Sequence, residues 1–143
     1  MSQFQQVSMK ALIERDGKYF LVRDPKKKWE MPGGRIDFGE DPKQTLRREM
    51  QEELGVENME IYDLVNIWTF LYSDEDGDFQ FILVVYHCEA KLDTITISEE
   101  HLESAWVPYE EISELHMRNG YKDSIRMYHN KKYSEIQNKL DSM

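Results

Sequence analysis

Gly34-Arg-Ile-Asp-Phe-Gly-Glu40-Asp-Pro-Lys-Gln-Thr-Leu-Arg-Arg48-Glu49-Met-Gln-Glu52-Glu53-Leu-Gly55-Val56 is the stretch on which the fold turns. Its second half reads as one helix over about 42–54. Asp41 is a good N-cap, Pro42 suits the first helical position, and Gln44 stands where a capping-box partner reaches back to the cap amide. Leu46, Met50 and Leu54 recur at i, i+4 and i+8 to make a buried stripe, and Gly55 is the expected left-handed stop. At about 100° of rotation per residue, Glu49, Glu52 and Glu53 fall within an arc of about 100°. Like charges on one helix side repel by a few tenths of a kcal/mol per pair unless a cation lies among them. Pro32-Gly33-Gly34 just upstream supplies a turn with room for close backbone approach and positive φ.

Three clustered carboxylates behind a glycine turn suit a hard divalent cation. Mg²⁺ takes about six oxygens, retains several waters, and is usually held by one or two carboxylates plus substrate phosphates. Such an ion polarises a phosphoryl oxygen, lowers the pKa of a bound water and neutralises charge on a leaving phosphate. The chemistry this points to is phosphoanhydride hydrolysis. A solvated acidic face accounts for most glutamate clusters in a chain with 28 acidic residues, but it leaves the double glycine and the Arg48-Glu49 pair unexplained.

The spacing resembles the signature of the Nudix hydrolases: Gly, five residues, Glu, seven residues, Arg-Glu, an aliphatic residue, any residue, Glu-Glu, any residue, Gly, aliphatic. Gly34, Glu40, Arg48, Glu49, Met50, Glu52, Glu53, Gly55 and Val56 fill every constrained place. At average residue usage a full match in a chain of this length has a chance probability on the order of 10⁻⁷ or less. Trp29-Glu30-Met31-Pro32-Gly33 before the box is also similar to the family. The resemblance implies a three-layer α/β/α sandwich with a mixed sheet. It implies metal-binding or water-activating roles for Glu49, Glu52 and Glu53, a metal ligand from the backbone carbonyl of Gly33, and orienting roles for Arg48 and Glu40. Mg²⁺ is the implied cofactor, with Mn²⁺ as a substitute.

Many relatives use a further acid outside the box. Ser98-Glu99-Glu100-His101-Leu102-Glu103 resembles the acidic loop before their last core strand, where Glu100 or Glu103 could add a ligand or serve as base; Glu100 is the preferred candidate.

Length and charge agree with one catalytic domain over 1–143. A chain of 143 residues can bury a proper core, and no linker, repeat or low-complexity run divides it. No apolar run is long enough to span a bilayer and no signal-peptide pattern opens the chain. The single cysteine, Cys88, cannot form an intramolecular disulfide, which suits a reducing cytoplasm. A net charge of −10 disfavours a nucleic-acid polymer as partner, since phosphate backbones are held by basic stripes. A small nucleotide is not disfavoured, because bound cations invert the local field. Lys26-Lys27-Lys28 reads as an exposed lysine-rich loop, with phosphate contact as the alternative.

The remaining chain alternates strands with helices, which implies a layered α/β structure. Val7 to Glu14 and Lys18 to Arg23 read as a hairpin around Asp16-Gly17. Ile61 to Tyr72 and Asp78 to Glu89 read as long strands, Trp106 to Pro108 as a short one, Glu110 to Leu115 as a helical turn, and Asp123 to Leu140 as a C-terminal helix. Asp74-Glu-Asp76-Gly-Asp78 starts like a calcium loop, but Phe79 and Val85 occupy the places of the required Gly and Glu, leaving a charged turn. His87, His101, His116 and His129 lack zinc-like spacing.

Substrate contacts are expected from Trp29, Arg35, Trp68, Phe70 and Tyr72. The last three share one strand face, where they could stack a base at roughly 1–3 kcal/mol or equally form core or a dimer seam. The proline typical of ADP-ribose hydrolases after the box is absent, as is the Ser-Gln-Pro-Trp-type segment of NADH hydrolases. The expected activity is hydrolysis of a nucleoside triphosphate or a nucleoside diphosphate linked to X, releasing a mononucleotide. A dinucleoside polyphosphate hydrolase is the alternative within the class. A non-catalytic nucleotide sensor and an RNA-end hydrolase are alternatives of other classes. Pairing of relatives through sheet edges implies a homodimer, for which Phe4 and Val7 could serve.

Overall fold

The computed structural model describes residues 2–92 and 103–143. Among these described residues, seven strands and three helices follow in the order β1 (Gln3–Leu12), β2 (Glu14–Arg15), β3 (Lys18–Arg23), β4 (Gly33–Arg35), α1 (Pro42–Leu54), β5 (Met59–Asp74), β6 (Gly77–Ala90), β7 (Glu103–Pro108), α2 (Tyr109–Ile112) and α3 (Asn119–Asp141). The strands form a four-stranded mixed sheet, β4-β1-β6-β5, and a three-stranded antiparallel sheet, β2-β3-β7. Only the β1–β6 pairing is parallel in the first sheet.

Alternation along the strands assigns side chains to two cores. Met9 and Ala11 of β1 and Phe20 and Val22 of β3 meet Leu46, Met50 and Leu54 of α1. Leu12 of β1 and Tyr19 and Leu21 of β3 meet Tyr121 and Ile125 of α3. With successive side chains on opposite faces, the sheets are covered on both sides, and helix, sheets and helix make three layers. The α/β/α sandwich with a mixed sheet is as the sequence implied.

The box helix spans 42–54 as read. Asp41 accepts from the Gln44 amide, Gln44 returns the bond to the Asp41 amide, and Gly55 closes the helix at φ 68°. The Asp74–Asp78 segment is a charged turn, with the Asp76 amide on the Asp74 carboxylate.

Several boundaries differ from the sequence reading. The first expected hairpin is confined to Glu14 and Arg15 pairing Tyr19 and Lys18 across Asp16-Gly17. β1 instead lies between β4 and β6, because its apolar residues point both ways and demand cover on both faces. The last helix begins at Asn119 rather than Asp123, since Gly120 seats the Trp68 ring and Tyr121 is buried. β7 also starts earlier, at Glu103, where Arg23 of β3 pairs with it in register and by an ion pair of 2.8 Å.

Candidate active site

Gly33 and Gly34 form the edge strand β4 against Met9 and Lys10 of β1. Gly33 has φ 139°, and a Cβ there would stand 2.0 Å from the Met9 carbonyl oxygen. A Cβ on Gly34 would stand 2.2 Å from the Glu49 carboxyl carbon, so the glycine opens the space that this carboxylate fills. Gly33 donates its N–H to Glu53 Oε2 at 3.1 Å. A cleft of about 290 Å³ results, lined by Gln6, Gly33, Gly34, Arg35, Asp37, Glu49 and Glu53.

The three box glutamates do not all enter it. Glu53 is 3% exposed and Glu49 faces the glycines, but Glu52 is turned outward with its side chain 60% exposed. Helix geometry explains the split: both Glu52 and Glu53 lie near Glu49 in azimuth, yet they differ from each other by about 100°, and one must face solvent. Among the described residues, no three acidic, histidine or cysteine side chains converge closely enough to enclose an ion by themselves.

Arg48 ties the helix to the loop before it. Its Nε and Nη2 grip Glu40 at 2.7 and 2.9 Å in a fork, Nη1 donates to Glu49 at 2.9 Å and Glu52 at 3.1 Å, and Nη2 also reaches the Arg35 carbonyl at 3.1 Å. Asp37, unremarked in the sequence, adds a contact at 3.3 Å. Glu40 further accepts from the Asp37 amide and the Thr45 hydroxyl. Arg48, first among these donors, holds the Glu40 carboxyl down to about 2, and the carboxylates in turn raise the arginine further. The fork geometry is specific to a guanidinium.

Beside the cleft, on the α3 face of the sheet, lies a second cavity of about 200 Å³. It is lined by Ser8 and Lys10 of β1, Trp29 and Glu30, Phe70 and Phe81, and Arg118 and Tyr121, with Lys28 and Leu83 completing the wall. Gln6, in the first cleft, and Ser8, in the second, are consecutive same-face positions of β1, about 7 Å apart. One strand therefore walls both spaces.

Trp29 and Phe70 are thus brought together, and Arg35 stands exposed in the glycine cleft. Trp68 sits in the neighbouring cavity with Phe70, its ring against Tyr121 at 4.8 Å. Tyr72 is 48% exposed further along the hairpin, tilted against Phe79, and lines neither space. The aromatic face of β5 is real, with Phe70 stacked on Phe81 at 4.8 Å and Arg118 lying 3.7 Å over Phe70. Glu100 lies outside the described residues, whereas Glu103 pairs with Arg23.

Lys10, Glu30, Arg118 and Tyr121 escaped the sequence reading. Lys10 Nζ meets Glu30 Oε1 at 3.4 Å, a contact between β1 and the segment that bridges to Val22 of β3, which no local spacing advertises. The available signal was a lysine inside the otherwise apolar run Met9-Lys10-Ala11-Leu12-Ile13.

Comparison with known proteins gives a consistent picture. The NUDIX domain profile matches residues 5–129. The chain is 30% identical to the nucleoside triphosphatase NudI of Escherichia fergusonii, over 81% of this chain and 91% of that protein. It is 31% identical to the Salmonella agona nucleoside triphosphatase NudI, over 71% and 81%. In fold it is similar to the MutT protein of Methanosarcina mazei Go1, with a TM-score of 0.76, 24% identity, and coverage of 92% of this chain and 98% of that one.

Proposed function

The chain belongs to the Nudix hydrolase family and is a pyrophosphohydrolase, and from that premise we propose that it cleaves the phosphoanhydride of a nucleoside triphosphate, releasing a mononucleotide, with Mg²⁺ as cofactor. The observation that carries this reading is the pair of carboxylates, Glu49 and Glu53, opposed to the Gly33-Gly34 backbone in a cleft next to an aromatic cavity. The sequence relatives named nucleoside triphosphatases favour a triphosphate over other linked diphosphates.

The donor set fits the ion. Glu49 and Glu53 supply hard oxygens, the Gly33 carbonyl can add another, and the space next to Gly34 is one that any Cβ would fill. Two carboxylates with water and substrate phosphates are what Mg²⁺ ordinarily accepts, so a three-acid cage is unnecessary. Glu52 would approach from the rim. When bound, the metal supplies charge neutralisation on the phosphates and acidifies water.

The protein's own groups then have separable tasks. Arg48 fixes Glu49 by one guanidinium nitrogen while its fork on Glu40 anchors the loop. Gly33 N–H holds one oxygen of Glu53 and so orients the carboxylate. Arg35, exposed in the same cleft, meets phosphate oxygens as a bidentate donor. The base enters the cavity beside Trp29 and Phe70, where an aromatic face contributes about 1–3 kcal/mol by stacking. Glu100 is retained as the base that takes a proton from the attacking water.

Phosphate release over a nucleotide panel, with and without Mg²⁺, tests the reading on wild type and Glu53→Gln. Metal-dependent turnover of triphosphates that the variant loses is the expected result. No turnover of any nucleotide at any metal concentration would instead favour a sensor.

A further inference from the structure

Lys10 and Glu30 form a donor and an acceptor side by side in the aromatic cavity, 3.4 Å apart. Both are fixed. Lys10 is held in β1 between β4 and β6, and Glu30 exchanges two backbone bonds with Val22 of β3, each 2.9 Å. They differ in depth: the Lys10 side chain is 8% exposed and that of Glu30 is 35% exposed. The ion pair with the Glu30 carboxylate holds the deeper group as a cation, with donors and no acceptor.

We infer that Lys10 selects the nucleobase, admitting bases with a carbonyl on the edge farthest from the sugar and disfavouring those with an amino group there. This rests on the nucleotide-hydrolase reading above, which puts the phosphates at the glycine cleft and so turns the far edge of the base toward the buried ammonium. Uracil, thymine, guanine and hypoxanthine present a carbonyl oxygen there, with an N–H beside it. The carbonyl accepts from Lys10, and the adjacent N–H donates to the Glu30 carboxylate. Cytosine and adenine present an amino group, which sets donor against donor beside the Lys10–Glu30 ion pair and finds no acceptor at Lys10. Burying a polar group of the ligand without its partner is the costly error that gives hydrogen-bonding pockets their discrimination.

The comparison is between pairs that differ only at that position: UTP against CTP, and ITP against ATP. A well-formed two-bond readout is worth about 5- to 150-fold, so kcat/KM for the keto member should exceed that of its amino partner by about tenfold or more. In Lys10→Gln, whose amide both donates and accepts, the ratio should fall toward one. Calorimetric binding of UMP and CMP to wild type gives the same ratio without requiring turnover or a folded variant. Turnover of all four nucleotides with ratios near one, or inverted ratios, overturns the inference and leaves the enzyme reading standing. Absence of turnover with UMP still preferred does the reverse. A Lys10→Gln loss that is equal for all four nucleotides assigns Lys10 to the phosphates and also overturns it.

Discussion

Glu53 combines near-complete burial with a hydrogen bond from the glycine backbone, so its replacement isolates chemistry from packing. Glu53→Gln preserves volume and is expected to lower kcat by at least 100-fold while the thermal midpoint stays within a few degrees; steady-state kinetics and calorimetry on the same preparation check both. Arg48→Lys keeps the charge but removes the fork on Glu40, and turnover is expected to fall about tenfold with KM nearly unchanged. Glu40 itself gives a pH prediction. Its folded pKa is depressed to about 2 by Arg48, so the latch contributes fully above about 4.5 and is lost as pH falls toward 2. An NMR titration of its side-chain carboxyl should show no protonation at pH 4; a midpoint near 4.5 would mean the fork is absent in solution. For Glu100, which the sequence alone proposes, Glu100→Gln should cost at least tenfold in kcat, and an unchanged rate removes it from the site. At this scale the box residues were readable because their spacing is local. Lys10 and Glu30 were not, since only the pairing of β1 and the packing beside β3 brings them together, and a lone strand lysine reads as solvent-facing.

The elements differ in how far their own sequence determines them. α1 carries its start and stop within its flanks, and its boundaries were legible to the residue. Asp41→Ala removes the acceptor for the Gln44 amide, and a loss of about 1 kcal/mol in urea denaturation is expected. α3 is the opposite case. Its first turn has no side-chain cap and is set by tertiary contact, Gly120 lying where a Cβ would come within 2.0 Å of the Trp68 ring. Gly120→Ala improves intrinsic helix propensity and should nonetheless destabilise by about 1–3 kcal/mol through overpacking. A gain in stability would show that Trp68 moves aside at little cost. The division of the first hairpin between two sheets was hidden for a similar reason: it depends on β6, whose Asp78 to His87 pair with Gln3 to Leu12 of β1 from far along the chain.

At the scale of the molecule, a chain of net charge −10 that hydrolyses nucleotides must meet a polyanion, and the proposed cations at the cleft would reconcile the two. Chelation with EDTA should abolish turnover, and restoring Mg²⁺ or Mn²⁺ should recover it; activity surviving chelation would contradict the proposed cofactor. The layered architecture was legible because strand alternation and helix periodicity are global patterns, whereas the adjacency of the two cavities follows from strand order alone. β1 lies at the junction: Met9 and Ala11 go to the α1 core, Ser8 and Lys10 to the cavity, and Lys10 pairs Gly33. Because side-chain direction in a strand repeats every second residue, a single-codon insertion after Ser8 would turn this wall inside out, burying an ammonium among leucines and offering a thioether to the cavity. Length variation should consequently be tolerated at the Glu75-Asp76 turn and be lethal to folding in the middle of β1, a contrast that an indel library would reveal directly.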